Sequence, residues 1–423
     1  MFFDELDLND NILDGLDAMN FKECTPIQER AIPVILEGND ILASAQTGTG
    51  KTAAYILPLL ELLSRGKKDN SKVNALILMP TRELAQQVDQ LLEGFAYYET
   101  TSWIAVYGGN DGIAFTQQQK ALQSGGDIAI ATPGRLLSHI RIGGVDLSGI
   151  EYLVLDEADR MLDIGFYDDI IEIIKHLPQK HQTLMFSATF PPDVERLAKQ
   201  ILVNPTEIKL AVSKPADGIH QGVYLLRETQ KTALIKELFR TEPRKSIIFA
   251  SSKEKVFNVF CALKHMGLSV AQMHSGLEQK QRTQVMLDFK NNKLQALVAT
   301  NIVSRGIDID DVAMVINYDV PKQCEDYVHR IGRTARAGAE GVGITFVTPK
   351  ERGLFDRIES FLEKTIERLA LPDNIAQMAP PVPDEKAQPR ERKHFRRKKK
   401  QKQKSNNNRK PQGNRPPQKQ VEK

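Results

Sequence analysis

Cysteine is scarce in this 423-residue chain, and the three present, Cys24, Cys261 and Cys324, are an odd number lying far apart. Such spacing fits neither a disulfide framework nor the paired ligands of a zinc site, so the thiols read as reduced packing residues. No stretch reaches the roughly 20 uninterrupted apolar residues that a membrane span needs. The opening Met1-Phe2-Phe3-Asp4-Glu5 is acidic where a secretion signal is basic. A cytoplasmic location without a membrane partner is the resulting expectation. No similarity recurs at a period of roughly 20 to 50 residues, which excludes solenoids and propellers.

A net positive balance is missing from most of the chain, although its overall net charge is +3. From Lys386 to Lys423 there are 16 Lys and Arg against 2 acids, Glu391 and Glu422, which leaves 41 basic against 52 acidic residues elsewhere. The tail, with its run Arg396-Arg397-Lys398-Lys399-Lys400, has almost no apolar residue to offset the entropy of ordering it. It is expected to be disordered. A solubilising charge run is one reading; nucleic-acid attraction is favoured, because the excess is all of one sign beside an acidic body.

What is present is a repeated alternation of short apolar runs, turn signals and helical spacing. The runs are Ile41 to Ser44, Ala75 to Met79, Ile104 to Tyr107, Ile128 to Ala131, Tyr152 to Leu155 and Leu184 to Phe186. After the turn-forming segment 211–218, a second set follows: Gly222 to Leu226, Ser246 to Ala250, Ser269 to Met273, Ala296 to Ala299, Met314 to Asn317 and Gly343 to Val347. This pattern predicts two α/β domains of similar size, each a parallel sheet with helices on both faces. The expected boundaries are residues 1–210 for the first domain, 211–218 for the linker, 219–370 for the second domain and 371–423 for the tail. Chemically useful residues fall directly after the strands, where open parallel sheets bind ligands.

The strand Tyr152 to Leu155 runs into Asp156-Glu157-Ala158-Asp159, and two carboxylates at a strand tip need a cation. Upstream, Ala45-Gln46-Thr47-Gly48-Thr49-Gly50-Lys51-Thr52 offers a glycine-rich turn, a lysine for phosphate and a hydroxyl for magnesium. Ala45 stands where the usual pattern has glycine. Either motif alone has a plainer reading, as a Gly/Thr-rich turn or as an acidic helix start. Together they point to splitting a nucleoside triphosphate, with Thr52 and Asp156 holding magnesium and Glu157 orienting or deprotonating water. Phosphoryl transfer recruits an arginine, and His329-Arg330-Ile331-Gly332-Arg333-Thr334-Ala335-Arg336 offers Arg333 and Arg336, three apart and so, on a helix, sharing one face.

These residues resemble the DEAD-box ATP-dependent RNA helicases over roughly residues 2 to 350, and within them the bacterial RhlE-type branch. The resemblance implies two tandem RecA-like domains, ATP and Mg2+ as cofactors, and RNA, single-stranded or in short duplexes, as partner. It implies that Phe21 stacks on adenine, that Gln28 hydrogen-bonds its edge, and that Asp308 contacts the ribose. It likewise implies RNA-backbone contacts at Thr81, Arg82, Gly108, Gly109, Thr132 and Arg135 in the first domain, and at Ser251, Gln279, Arg282 and Thr300 in the second. Hydroxyls, glycine amides and cations suit phosphates and 2′-hydroxyls without base readout. Ser187 and Thr189, with Asp159 as partner, match the element coupling hydrolysis to unwinding, and Arg333 and Arg336 match the arginine fingers. Asn301 and Ala335 depart from the commoner Asp and Gly of the family. The expected protein is a monomer whose RNA-stimulated ATP hydrolysis locally unwinds short duplexes, with ribosomal or RNA-decay proteins as partners. An ATP-gated RNA clamp and a DNA translocase are the competing readings.

Overall fold

The computed structural model describes residues 1–44, 49–66, 71–108, 112–143, 145–210, 218–241, 244–300, 312–334 and 341–378, excepting the side chain of Gln279. Ala45 to Gly48, Gly109, the linker residues 211–217, Asn301, Asp308, Ala335, Arg336 and the tail from residue 379 lie outside the described residues.

Seven strands build the first sheet: β1 (Ile41–Ser44), β2 (Val73–Leu78), β3 (Trp103–Val106), β4 (Gly126–Ala131), β5 (Tyr152–Leu155), β6 (Gln182–Ser187) and β7 (Thr206–Lys209). They run parallel in the order β3-β4-β2-β5-β6-β1-β7. Side chains alternate across a strand, so a strand covered on both faces must be apolar throughout. β5 shows this: Val154 joins a core with Ile77, Ile128 and Phe186, while Leu153 and Leu155 join a separate core with Leu76, Leu78 and Met185.

The second sheet contains β8 (Ile219–Leu225), β9 (Ser246–Phe249), β10 (Val270–Met273), β11 (Ala296–Ala299), β12 (Met314–Asn317), β13 (Gly341–Val347) and β14 (Glu367–Leu369). Its order, β10-β11-β9-β12-β13-β8-β14, is again parallel. Ile247 and Val315 face one core, and Ile248 and Ile316 the other.

Two features differ from the expectation. The edge strands β7 and β14 are polar, and of their residues only Ile208 is buried, so no apolar run marked them. They are recruited by backbone pairing to β1 and β8. The expected tail boundary at residue 371 is also corrected. Leu371, Ile375 and Met378 pack on the second core, Gln230 Nε2 donates to the Ile375 carbonyl at 2.8 Å, and Arg227 donates to the Met378 carbonyl at 3.2 Å. Three apolar residues at helical spacing therefore extend the second domain to Met378.

Candidate functional site

The helix Lys51–Arg65 follows β1 and begins at Gly50, whose φ of +88° favours glycine. A Cβ there would lie 2.4 Å from Gln28 Nε2. The first turn places three polar groups together. Lys51 is 6% exposed, and its Nζ has no hydrogen-bond partner among the described residues. Thr52 follows, and Tyr55, fully buried one turn on, donates to Asp156 Oδ2 at 3.0 Å. Burial pushes the Asp156 carboxyl above its ordinary range, opposed by the Lys51 charge and the Tyr55 hydrogen bond. A buried, unpartnered ammonium at a helix N-terminus, beside a carboxylate, has the chemistry of a phosphate site.

Among the described residues no group of three or more His, Cys, Asp or Glu could hold a metal ion. Magnesium is not excluded by that, since it is commonly bound through one or two carboxylates plus water and substrate phosphates. Asp156 and the Thr52 hydroxyl fit such a site.

Glu157 caps the helix Ala158–Ile164 in left-handed backbone, φ +51° and ψ +51°, where a non-glycine residue costs about 1–2 kcal/mol. Its carboxylate meets Arg160 at 3.4 Å, both side chains being buried. Two residues on, Asp159 accepts from Thr189 Oγ1 at 3.0 Å, and its backbone N–H donates to Ser187 Oγ at 3.2 Å. Ser187 Oγ in turn donates to the Thr189 carbonyl at 2.7 Å. The carboxyl ends of β5 and β6 are thus clasped together. Tyr55 and Arg160 were not singled out from sequence. Each had a signal: a tyrosine one turn from Lys51 in an otherwise apolar helix, and an arginine three residues from Glu157.

Gln28 is buried with its amide engaged at both ends. Its Oε1 accepts from Thr25 N at 2.8 Å and its Nε2 donates to the Gly50 carbonyl at 3.0 Å, tying the segment expected to read adenine to the glycine turn before Lys51. Phe21, half-buried, stands edge-on to Phe95 with centroids 5.4 Å apart.

The expected RNA contacts of the first domain cluster beyond β2, β3 and β4. Thr81 caps the helix Arg82–Phe95, accepting from Leu84 N at 3.4 Å. Gly108 has φ +138°. Thr132 precedes the helix Pro133–Ile142, which carries Arg135. In the second domain Ser251 N donates to Asp319 Oδ2 at 2.7 Å. Thr300 Oγ1 is buried without a hydrogen-bond partner among the described residues, and Gln279 opens the helix Gln279–Lys290. Arg282, on that helix, pairs with Glu83 of the first domain at 2.7 Å, and Gln323 donates to Asp163 Oδ1 at 3.2 Å. The two domains therefore face one another across the strand ends.

Arg333 is 3% exposed, with Nε donating to the His329 carbonyl at 3.3 Å. Arg333 itself lies past the end of a helix, and Arg336, expected beside it on a shared face, lies outside the described residues. The helix Cys324–Ile331 ends with Gly332 as its C-cap, and Thr334 already bridges to Val312. Asp319, not foreseen, anchors this region: its carboxylate accepts from buried Lys231 at 2.9 Å and from Lys255 at 2.5 Å, and its carbonyl accepts from Arg330 at 3.1 Å. Burial alone would raise this carboxyl; the Lys231 charge and the hydrogen bonds hold it down at about 2.

The family model described as DEAD/DEAH box helicase matches residues 25–197, and the helicase conserved C-terminal domain matches residues 229–338. The chain is 41% identical over 372 residues to the ATP-dependent RNA helicase CshA of Listeria monocytogenes, covering 88% of this chain and 70% of the relative. A solved structure of S. cerevisiae Dbp5 bound to RNA and ADP BeF3 superposes with a TM-score of 0.76 at 32% identity, covering 87% of this chain and 95% of that one. A Dbp5 variant bound to Nup159, Gle1, IP6 and ADP gives 0.60 at 31% identity, covering 86% and 95%.

Proposed function

The chain belongs to the DEAD-box ATP-dependent RNA helicases, and from that membership we propose how its residues divide the work of RNA-stimulated ATP hydrolysis and local unwinding of short RNA duplexes. The family, not the RhlE-type branch, is what the membership fixes. The observation that carries the assignment is Lys51, a buried ammonium with no hydrogen-bond partner among the described residues, beside Asp156 at the start of a helix.

In this reading the turn from Ala45 to Gly50 cradles the phosphates, and Lys51 meets the β- and γ-phosphate oxygens. Phe21 and Gln28 hold adenine, and Asp308 holds the ribose. Magnesium, held by Thr52 and Asp156, would offset phosphate charge at this site. Glu157 orients the attacking water and takes its proton as the new oxygen–phosphorus bond forms; the bond to the β–γ bridging oxygen breaks, and ADP leaves with that oxygen. Arg333 and Arg336 stabilise the charge spread over the transferred group.

RNA lies along Thr81, Arg82, Gly108, Gly109, Thr132 and Arg135 on one domain, and Ser251, Gln279, Arg282 and Thr300 on the other. These groups read backbone, not bases. A strand gripped by both domains in one bent path cannot stay paired, so binding opens a short duplex locally. The Asp159, Ser187 and Thr189 clasp links the water-activating strand end to the neighbouring one and passes hydrolysis to domain opening. The linker is 211–218, and the basic tail adds phosphate contacts. Such work belongs to a cytoplasmic monomer, with ribosomal or RNA-decay proteins as partner classes.

Strand displacement on a short RNA duplex with a single-stranded flank tests this. Displacement that needs ATP and is lost in Glu157→Gln supports the proposal. RNA retention without displacement by the wild type would make the protein an ATP-gated clamp.

A further inference from the structure

Gln118, on the helix Gly112–Ser124, joins the end of β3 to the helix Pro133–Ile142, which nothing in the sequence connects to it. Its Nε2 donates to the Tyr107 carbonyl at 2.6 Å, at the end of β3. Its Oε1 accepts from Arg135 Nε at 2.8 Å, beyond the end of β4, and lies 3.3 Å from His139 Nε2. The amide orientation is fixed by chemistry. Flipping it would set carbonyl against carbonyl at Tyr107 and N–H against N–H at Arg135.

The surroundings restrict the arginine further. The Arg135 guanidinium lies 4.6 Å over the Phe115 ring, and Phe115 stacks on His139 at 3.9 Å with 17° between the planes. His139 is fully buried; burial, and the Arg135 charge beside it, push its pKa down to about 4, so it is neutral and donates through Nε2. A Cβ on Gly108 would sit 3.8 Å from Gln118 Nε2, so the same amide lies against the glycine turn.

We infer that Gln118 is a positioning residue for RNA: it holds Arg135 and the Tyr107–Gly108 turn in one arrangement, so that Arg135 meets an RNA phosphate already ordered. This rests on the reading of Arg135 as an RNA-backbone contact. The entropy of fixing a long guanidinium side chain is then lost on folding instead of on binding. Loss of Gln118 leaves the arginine's charge in place and removes its alignment.

The test compares Gln118→Leu, Gln118→Glu, Arg135→Ala and the Gln118→Leu/Arg135→Ala double variant in the full chain. Affinity for single-stranded RNA is measured with AMP-PNP and magnesium, alongside RNA-stimulated ATP turnover and thermal midpoint. Gln118→Leu is expected to weaken RNA affinity by about 3- to 10-fold, raising the RNA concentration for half-stimulation while leaving turnover at saturating RNA unchanged. In the Arg135→Ala background the same change should have less than about a twofold effect, because coupled residues are not additive. Gln118→Glu keeps the acceptor for Arg135, strengthened by its charge, while losing the donor to the Tyr107 carbonyl, and should retain affinity within about threefold of wild type. Independent effects in the double variant, or a Gln118→Glu as weak as Gln118→Leu with an unchanged thermal midpoint, overturn the inference. If Gln118→Leu does not unfold cooperatively, Gln118→Glu decides by the same affinity limit. An Arg135→Ala that binds RNA as wild type removes the underlying reading of Arg135, and the inference with it.

Discussion

Glu83 Oε1 and Arg282 Nη2 meet at 2.7 Å, joining the helix that follows β2 in the first domain to the helix that precedes β11 in the second. Both side chains are 14% exposed, so the pair is less screened than a surface ion pair. It ties together the two segments expected to grip RNA. Glu83→Gln should reduce the closed population by about 3- to 5-fold, corresponding to the ~1 kcal/mol upper end for such pairs. A fluorescent donor and acceptor placed on the two domains, titrated with RNA and AMP-PNP, read this directly. An unaltered closing curve would mean that the pair does not contribute to closure.

Lys51 has a different signature, because its buried ammonium has no hydrogen-bond partner among the described residues. Lys51→Met should weaken ATP binding by roughly 100-fold, the scale of two lost charge-assisted hydrogen bonds. The thermal midpoint of the ligand-free protein should move by no more than about 2–4 °C, since the site holds a buried charge that folding does not need. Calorimetric titration with ATP and a melting curve check both halves. Retained ATP affinity would contradict the phosphate assignment.

Tyr55 stabilises the ionised form of Asp156 by donating to it, while burial favours the neutral form. With the carboxyl already raised, activity that needs the carboxylate falls as pH drops through a value above the ordinary carboxylate range. Tyr55→Phe removes the donor and raises the carboxyl further. The acid limb of the pH–turnover profile should therefore shift to higher pH, with the loss largest at the acidic end and small on the alkaline side. A profile superimposable on wild type would show that Asp156 does not govern that limb.

Gly50 is constrained twice, by φ of +88° and by Gln28 Nε2 lying 2.4 Å from any added Cβ. Gly50→Ala should lower ATP affinity by about 10-fold or more, from a left-handed backbone cost of roughly 1–2 kcal/mol together with displacement of the Gln28 amide. Nucleotide titration is the check, and wild-type affinity would refute the proposed link between Gly50 and Gln28 in nucleotide binding.

The interior strands were legible in the sequence because parallel strands covered on both faces must be apolar in both registers, as Leu153, Val154 and Leu155 are. The edge strands β7 and β14 were not, because Thr206–Lys209 and Glu367–Leu369 are held by backbone pairing and expose most of their side chains. Motif residues such as Lys51, Asp156 and Asp159 could be placed because their chemistry is local to strand ends. Their supporting partners could not: Tyr55 reaches Asp156 across 101 positions, and Lys231 reaches Asp319 across 88. The left-handed backbone of Glu157 left no trace either, since glutamate is not the residue that such a conformation favours. The three-residue spacing of Arg333 and Arg336 suggested a helix, but Arg333 lies past a helix end that Gly332 had signalled.

The account stands on one coupling: each domain supplies part of a pocket that is complete only when RNA holds them together. Steady-state ATP turnover with magnesium, measured with and without single-stranded RNA, tests it most directly. Turnover should rise by at least about 10-fold with RNA, within the usual range of coupling between sites, and Arg333→Ala should abolish the rise while still binding ATP. Equal turnover with and without RNA would contradict the account.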